Sequence, residues 1–309
     1  MRLLFLFTAC VLSAAASAAN PNVRAITAFV ELDAKRYEQQ VAETVGKLRQ
    51  AKTLFEKSGY PVQTVRITTQ PFPVYVRGQT REEALILLLR LAELGRKNEV
   101  LINIGPAALD DRPDAAALDL LEEIHSRNVP LDASMIVADE KGVHWNTIRA
   151  AARHVSRVAK ASERSQGTFS FAATALLGAG APFFPGSWHT NDAGKFSVGL
   201  QSADLVEEVF SRSGITVQNA ASELTAALAT HARALHGIAR EVERDTGWRY
   251  WGFDPTPAPL KDESIGAAME ALFKAPFGSP GTMTTASVIT NALREVRSEE
   301  HTSELQSPI

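Results

Sequence analysis

Val23-Arg24-Ala25-Ile26-Thr27-Ala28-Phe29-Val30-Glu31-Leu32 is rich in β-branched and apolar residues and reads as a buried strand. Asp33 follows it at an N-cap position. Tyr37, Val41, Val45, Leu48 and Phe55 then recur at helical spacing, and Gly59 stands where a helix C′ residue belongs. This strand-then-helix unit decides the fold because it repeats. Residues 62–68 predict a second strand, stopped by Gln70-Pro71-Phe72-Pro73, and 82–94 a strongly apolar helix ended by Gly95. Residues 100–104 predict a short strand ended by Gly105-Pro106, 113–126 a helix, 133–138 a strand and 145–160 a helix. Four β-α steps with short connections imply one α/β domain around a mainly parallel sheet, open or closed into a barrel.

The second half is less regular. An apolar run at 170–177 leads into Gly178-Ala179-Gly180-Ala181-Pro182-Phe183-Phe184-Pro185-Gly186-Ser187-Trp188-His189. A strand is expected at 196–200, and helices at 203–212 and 220–245. Gly247-Trp248-Arg249-Tyr250-Trp251-Gly252-Phe253-Asp254-Pro255-Thr256-Pro257-Ala258-Pro259-Leu260 then joins a short strand to a loop whose three prolines forbid helix and ladder pairing. Helices are expected at 265–273 and 284–296, with the glycine turn Phe277-Gly278-Ser279-Pro280-Gly281-Thr282 between them.

Both ends read differently from the body. Met1-Arg2, an apolar run at 3–12 and Ala16-Ser17-Ala18 make residues 1–19 an expected signal peptide, too short for a good membrane span and pointing to a periplasmic or secreted protein, the alternative being a cytoplasmic protein with an unremoved leader. Arg297-Ser298-Glu299-Glu300-His301-Thr302-Ser303-Glu304-Leu305-Gln306-Ser307 resembles a translated sequencing adapter, so 297–309 is expected to be an artefactual tail and 20–296 the domain, with its C-terminal part missing. Cys10 is the single cysteine, which leaves 20–296 without disulfides, thiolate metal sites or a cysteine nucleophile. A net charge of -3 gives no electrostatic case for nucleic acid.

Several segments together resemble one family: Ile26-Thr27-Ala28-Phe29-Val30, Gln63-Thr64-Val65-Arg66-Ile67 with Gln70-Pro71-Phe72-Pro73, Phe183-Phe184-Pro185 with His189, Gly199-Leu200 with Ala203-Asp204-Leu205-Val206, Asp254 with Thr256, and Gly278 to Thr282. The chain resembles the DUF711 (UPF0210-like) family of bacterial and archaeal proteins from Val23 to Val296. That resemblance implies an α/β barrel of the pyruvate formate-lyase-like, ten-stranded type, here incomplete, and a homodimer. It also invites glycyl-radical chemistry, but that needs an active-site thiol and 20–296 has none. Shared fold does not carry shared chemistry.

Candidate site residues are those expected on loops at strand ends. Asp254 with Thr256 offers a general base or merely an Asx turn, and His189 an acid/base group or a residue tied to neighbouring backbone. Ser279, Gly281 and Thr282 lead into a helix whose free N–H groups can hold an anion, or form a plain capped turn. Arg66 can clamp a carboxylate or phosphate, or make a strand-end salt bridge. His231 and His236 are five apart, the wrong spacing for paired metal ligands, and no motif indicates a cofactor. The expectation is an enzyme acting on a small polar or anionic metabolite at the barrel mouth, with Asp254 and His189 catalytic and Arg66, Thr256, Ser279, Gly281 and Thr282 binding. The alternative is a non-catalytic small-molecule binding or sensory protein.

Overall fold

The structure, a computed structural model, describes residues 20–190, 193–257 and 264–302, with side chains to Val296. The expected leader at 1–19, residues 258–263 of the proline loop and the side chains of the expected tail lie outside the described residues. The repeating unit seen in the sequence is present. β1 (Val23–Val30) leads to α1 (Tyr37–Lys57), β2 (Val62–Thr69) through the single turn α2 (Phe72–Tyr75) to α3 (Arg81–Asn98), and β3 (Leu101–Ala108) to α4 (Ala115–Ser126). β4 (Leu131–Asp139) makes a short hairpin with β5 (Gly142–Val143) before α5 (Trp145–Ala161). A 3-10 segment (Glu163–Ser170) enters β6 (Phe171–Ala175), which is followed by a loop at 176–190 and then by β7 (Lys195–Leu200). Then come α6 (Ala203–Ser211), α7 (Ala220–Thr246), β8 (Arg249–Asp254), α8 (Ile265–Phe273) and α9 (Thr282–Thr302).

The sheet is mixed and open. β6, β4, β3, β2 and β1 run parallel in that spatial order. β7 then pairs antiparallel with β1, and β8 parallel with β7. Among the described residues β8 pairs with β7 alone, so the barrel does not close. No helix of the described residues is long and apolar enough to cross a membrane.

Local chemistry explains where the boundaries differ from expectation. Asp33 is not the N-cap of α1. Its carboxylate accepts from Lys35 N at 2.8 Å in a turn, and the helix begins after Arg36. Gly95 does not end α3 but lies inside it, where an added Cβ would meet the Val100 carbonyl oxygen at 3.0 Å and Ile102 Cδ1 at 3.3 Å. It is the residue that lets the helix lie against β3. The helix ends instead at Glu99, in the left-handed region, and opens at Thr80 with a full capping box to Glu83. β3 continues through Gly105-Pro106 because β2 pairs only with Leu101 to Asn103, leaving Pro106 no neighbour there that wants its missing N–H. α9 starts at Thr282, two residues earlier than the spacing suggested.

The register sorts the strands into two faces. One carries Ile26, Ala28, Ile67, Ile102, Met135 and Val198, which join the apolar sides of α1, α3, α4 and α7 in one continuous cluster. Burying such a side chain stabilises by roughly 1.5–3 kcal/mol, so this face holds the fold. The opposite face carries Thr27, Arg66, Thr68, Asn103, Asp132, Ser134, Thr174 and Ser197, polar residues that stability alone does not ask for.

Candidate functional site

The loop at 176–190 leaves β6 and crosses the polar face, strand by strand. Leu176 N donates to Ala138 O at 3.0 Å, where the loop starts beside β4. Asn103 of β3 donates to Pro185 O at 2.7 Å, the hydroxyls of Thr68 on β2 and Ser187 meet at 2.8 Å, and His189 Nε2 donates to Val30 O of β1 at 3.0 Å. The Phe184 ring lies over the Arg66 guanidinium, 4.9 Å from its carbon. Two glycines set how closely the loop can approach. A Cβ on Gly186 would meet Thr174 Cγ2 at 2.7 Å, and one on Gly180 would meet Trp251 Nε1 at 2.7 Å.

Beneath the loop lies a group of buried polar atoms. Arg66 Nε, Ser134 Oγ, Thr174 Oγ1 and Ser197 Oγ are enclosed and have no hydrogen-bond partner among the described residues. Ser134 is fully buried, Ser197 is 2% exposed and Thr174 7%. Each such group left unpaired costs about 1–3 kcal/mol. Four on one face are a cost that the apolar core offsets but does not explain, and buried polar atoms of this kind call for a functional account.

The charges of this face are perturbed by the same burial. Enclosure pushes the Arg66 guanidinium down to about 10, with nearby Arg24 acting in the same direction and Asp132 and Asp254 opposing. Arg66 therefore stays cationic at neutral pH. Burial pushes the Asp132 carboxyl up to about 6, against a hydrogen bond from Ser170 and the attraction of Arg66. Arg66 is the smallest influence on Asp132, so the two groups feel each other without neutralising each other.

The residues singled out in the sequence fall in three places. Asp254 ends β8, and because β7 and β8 are reversed its row is Gly199 and Ala25, at the N-terminal end of β1. Its Oδ1 accepts from Thr256 N at 3.0 Å and from the Thr256 hydroxyl, so both residues serve an Asx turn. His189 bonds to Val30, at the other end of β1. Five residues of strand, roughly 16 Å, separate the two ends. Arg66 stands between them, level with Thr27 and Ser197 and within electrostatic reach of Asp254. Ser279, Gly281 and Thr282 lie in the turn between α8 and α9, elements that pack on α6, α7 and each other. Thr282 Oγ1 accepts from Gly278 N at 3.0 Å and donates to Ser279 O at 2.9 Å, and Gly281 sits under the Phe273 ring. The structure thus brings Arg66 and Asp254 to one face and leaves the glycine turn in the helical layer. Asp132, Ser134, Thr174 and Ser197 complete the group and were not singled out. Their signal was polar alternation inside and beside the segments read as strands. Among the described residues no group of three or more His, Cys, Asp or Glu is gathered to hold a metal ion.

Comparison with known proteins gives a consistent result. The family model described as "Uncharacterised ACR (DUF711)" matches residues 16–303. A UPF0210 protein from Pyrobaculum islandicum is 24% identical over an alignment of 271 residues that covers 84% of this chain and 59% of the relative. A UPF0210 protein from Carboxydothermus hydrogenoformans is 22% identical over 302 residues, covering 89% of this chain and 66% of the relative. The chain therefore spans about three-fifths to two-thirds of the length of these curated relatives. With the family model covering nearly the whole sequence, the chain belongs to the DUF711 family.

Proposed function

We propose that the polar face under the 176–190 loop binds a small anionic metabolite and that the protein acts on it by proton transfer rather than glycyl-radical chemistry. The observation that carries this reading is the enclosed Nε of Arg66, a cationic donor without a hydrogen-bond partner among the described residues. A half-buried guanidinium with its Nε in that condition is matched best by a carboxylate or phosphate, which accepts two parallel N–H bonds. The unpartnered Ser197 hydroxyl on the same row offers a further donor. Asp132, held near 6, can take and return a proton close to neutral pH, and Asp254 supplies a second carboxylate at the edge of the face.

One observation favours a second reading, a binding or sensory protein without turnover. Asp254 and His189, the acid/base candidates marked by sequence, each hold backbone in place. Thermal stabilisation of the protein by a panel of small carboxylates and phosphates tests binding, since a ligand for the folded state raises the melting temperature by mass action. Hits should be lost in Arg66→Met. Binding unchanged in that variant, or no stabilisation by any anion, would sink the anion site. Proton NMR of each hit incubated with protein separates the readings: a chemical change lost in Asp132→Asn supports the enzyme, and unaltered hits support the sensor.

A further inference from the structure

Resting on the anion site at Arg66, we propose that its ligand is a zwitterion of the amino-acid class, with its carboxylate on Arg66 and its ammonium on Asp132.

The register places the two charges. Arg66 is level with Leu101 on β3, and Asp132 is level with Asn103, two residues further along that strand. Both therefore point to the polar face. Two strand spacings across and two residues along give roughly 12 Å between their Cα atoms. The long Arg66 side chain and the short Asp132 side chain leave room for a molecule whose own charges stand a few bonds apart.

Neither pole is fully satisfied by protein: Asp132 takes a hydrogen bond from Ser170 but little attraction from Arg66. Arg66 has the enclosed Nε described above, and burial rather than attraction to Arg66 dominates the state of Asp132. A half-buried carboxylate with so little cationic support is costly, and a ligand ammonium would offset that cost. Asp254 is poorly suited to this role because Thr256 already occupies Oδ1. A buried hydroxyl without a partner accompanies the acidic pole: Ser134 follows Asp132 by two residues on the same strand face. An α-carboxylate accepts from Arg66, while an α-ammonium donates to Asp132 and Ser134. A simple carboxylate would use only Arg66.

The test uses the full chain and calorimetric titration with the common L-amino acids. Each amino acid that binds is compared with its des-amino acid and with its decarboxylated amine. The wild type should bind at least one amino acid at least tenfold more tightly than either comparator. Asp132→Asn should erase the preference over the des-amino acid while keeping carboxylate binding, Ser134→Ala should reduce it severalfold, and Arg66→Met should abolish binding of both. Equal affinity for an amino acid and its des-amino acid in the wild type overturns the zwitterion assignment and leaves the anion site standing. So does binding of other anions with no amino acid among the hits. If no carboxylate of any kind binds, the anion site itself falls.

Discussion

Acid should destabilise this protein through one buried histidine pair, and the size of the effect can be worked out. His125 Nε2 donates to Leu131 O at 3.0 Å, so in the neutral ring Nδ1 carries no hydrogen. That bare Nδ1 accepts from His154 Nε2 at 3.0 Å, which leaves His154 Nδ1 bare, buried and without a hydrogen-bond partner. Phe171 packs against both rings. Burial pushes His125 down to about 4, and burial together with His125 pushes His154 down to about 3. As pH falls below the ordinary histidine value near 6.5, the unfolded chain takes up protons that the folded chain refuses, so stability is lost. By pH 5 both rings are still neutral in the folded state, and the loss is about 2 kcal/mol per histidine relative to pH 7.5. That figure is set by the unfolded value and hardly depends on how far below 5 the folded values lie. Asp132 acts in the opposite direction. Its raised value of about 6 adds roughly 1 kcal/mol on acidification to pH 5, and contributions outside the pair cancel when wild type is compared with a variant. Urea unfolding at pH 7.5 and pH 5 should therefore show a loss about 4 kcal/mol smaller in His125→Gln/His154→Phe than in the wild type, and about half that change in His154→Phe alone. A difference below about 1 kcal/mol between wild type and the double variant would refute the buried-neutral pair.

Two further substitutions test how the polar face is framed. Gln70, 7% exposed, accepts from Leu32 N at 2.9 Å and donates to Leu32 O at 2.7 Å, stitching the end of β2 to that of β1. Gln70→Ala leaves two buried backbone groups unpaired and should cost about 2–4 kcal/mol in urea unfolding, whereas a loss below about 1 kcal/mol would show that water replaces the side chain. An added Cβ on Gly167 would overlap the carbonyl oxygen of His125 and approach Val158 Cγ1 to 2.8 Å. Because the obstacle is backbone, Gly167→Ala should cost at least about 3 kcal/mol by thermal or urea unfolding and move the His125 ring, with a near-neutral result counting against the packing of the 3-10 segment on α4.

The parallel half of the sheet was legible because strand and helix carry different apolar periods. Tyr37 to Phe55 cannot be read as a strand, nor Val23 to Val30 as an amphipathic helix. Helix ends were less legible where a residue type serves two purposes. Glycine stops a helix when it supplies positive φ, as Gly59 does at +84°, but Gly95 keeps helical geometry and is there for close approach to β3. Asp33 has the right chemistry for a cap but lies four residues before Tyr37, and it caps a turn instead.

Strand direction was not legible at all, and it decides the site. Periodicity is the same read forwards or backwards, so nothing in Arg249 to Asp254 reveals that β8 runs against β1. Had it run parallel, Asp254 would have met His189 at the C-terminal rim; reversed, it lies near Ala25, with Arg66 between them. The direction follows from the loop at 176–190, which crosses the polar face from β6 to bring His189 to Val30 at the C-terminal end of β1, where Gly194 N donates to Phe29 O at 3.0 Å and β7 begins. A short tether entering at that end leaves β7 no course but back along β1. The residues of the face itself were legible. Thr64-x-Arg66-x-Thr68, Asp132-x-Ser134 and Lys195-x-Ser197 alternate with apolar neighbours, and in strands destined for burial on both sides such alternation has no structural use. The proposed anion site thus rests on polar period-two residues of the strands, whereas the loop residues Asp254 and His189 hold backbone.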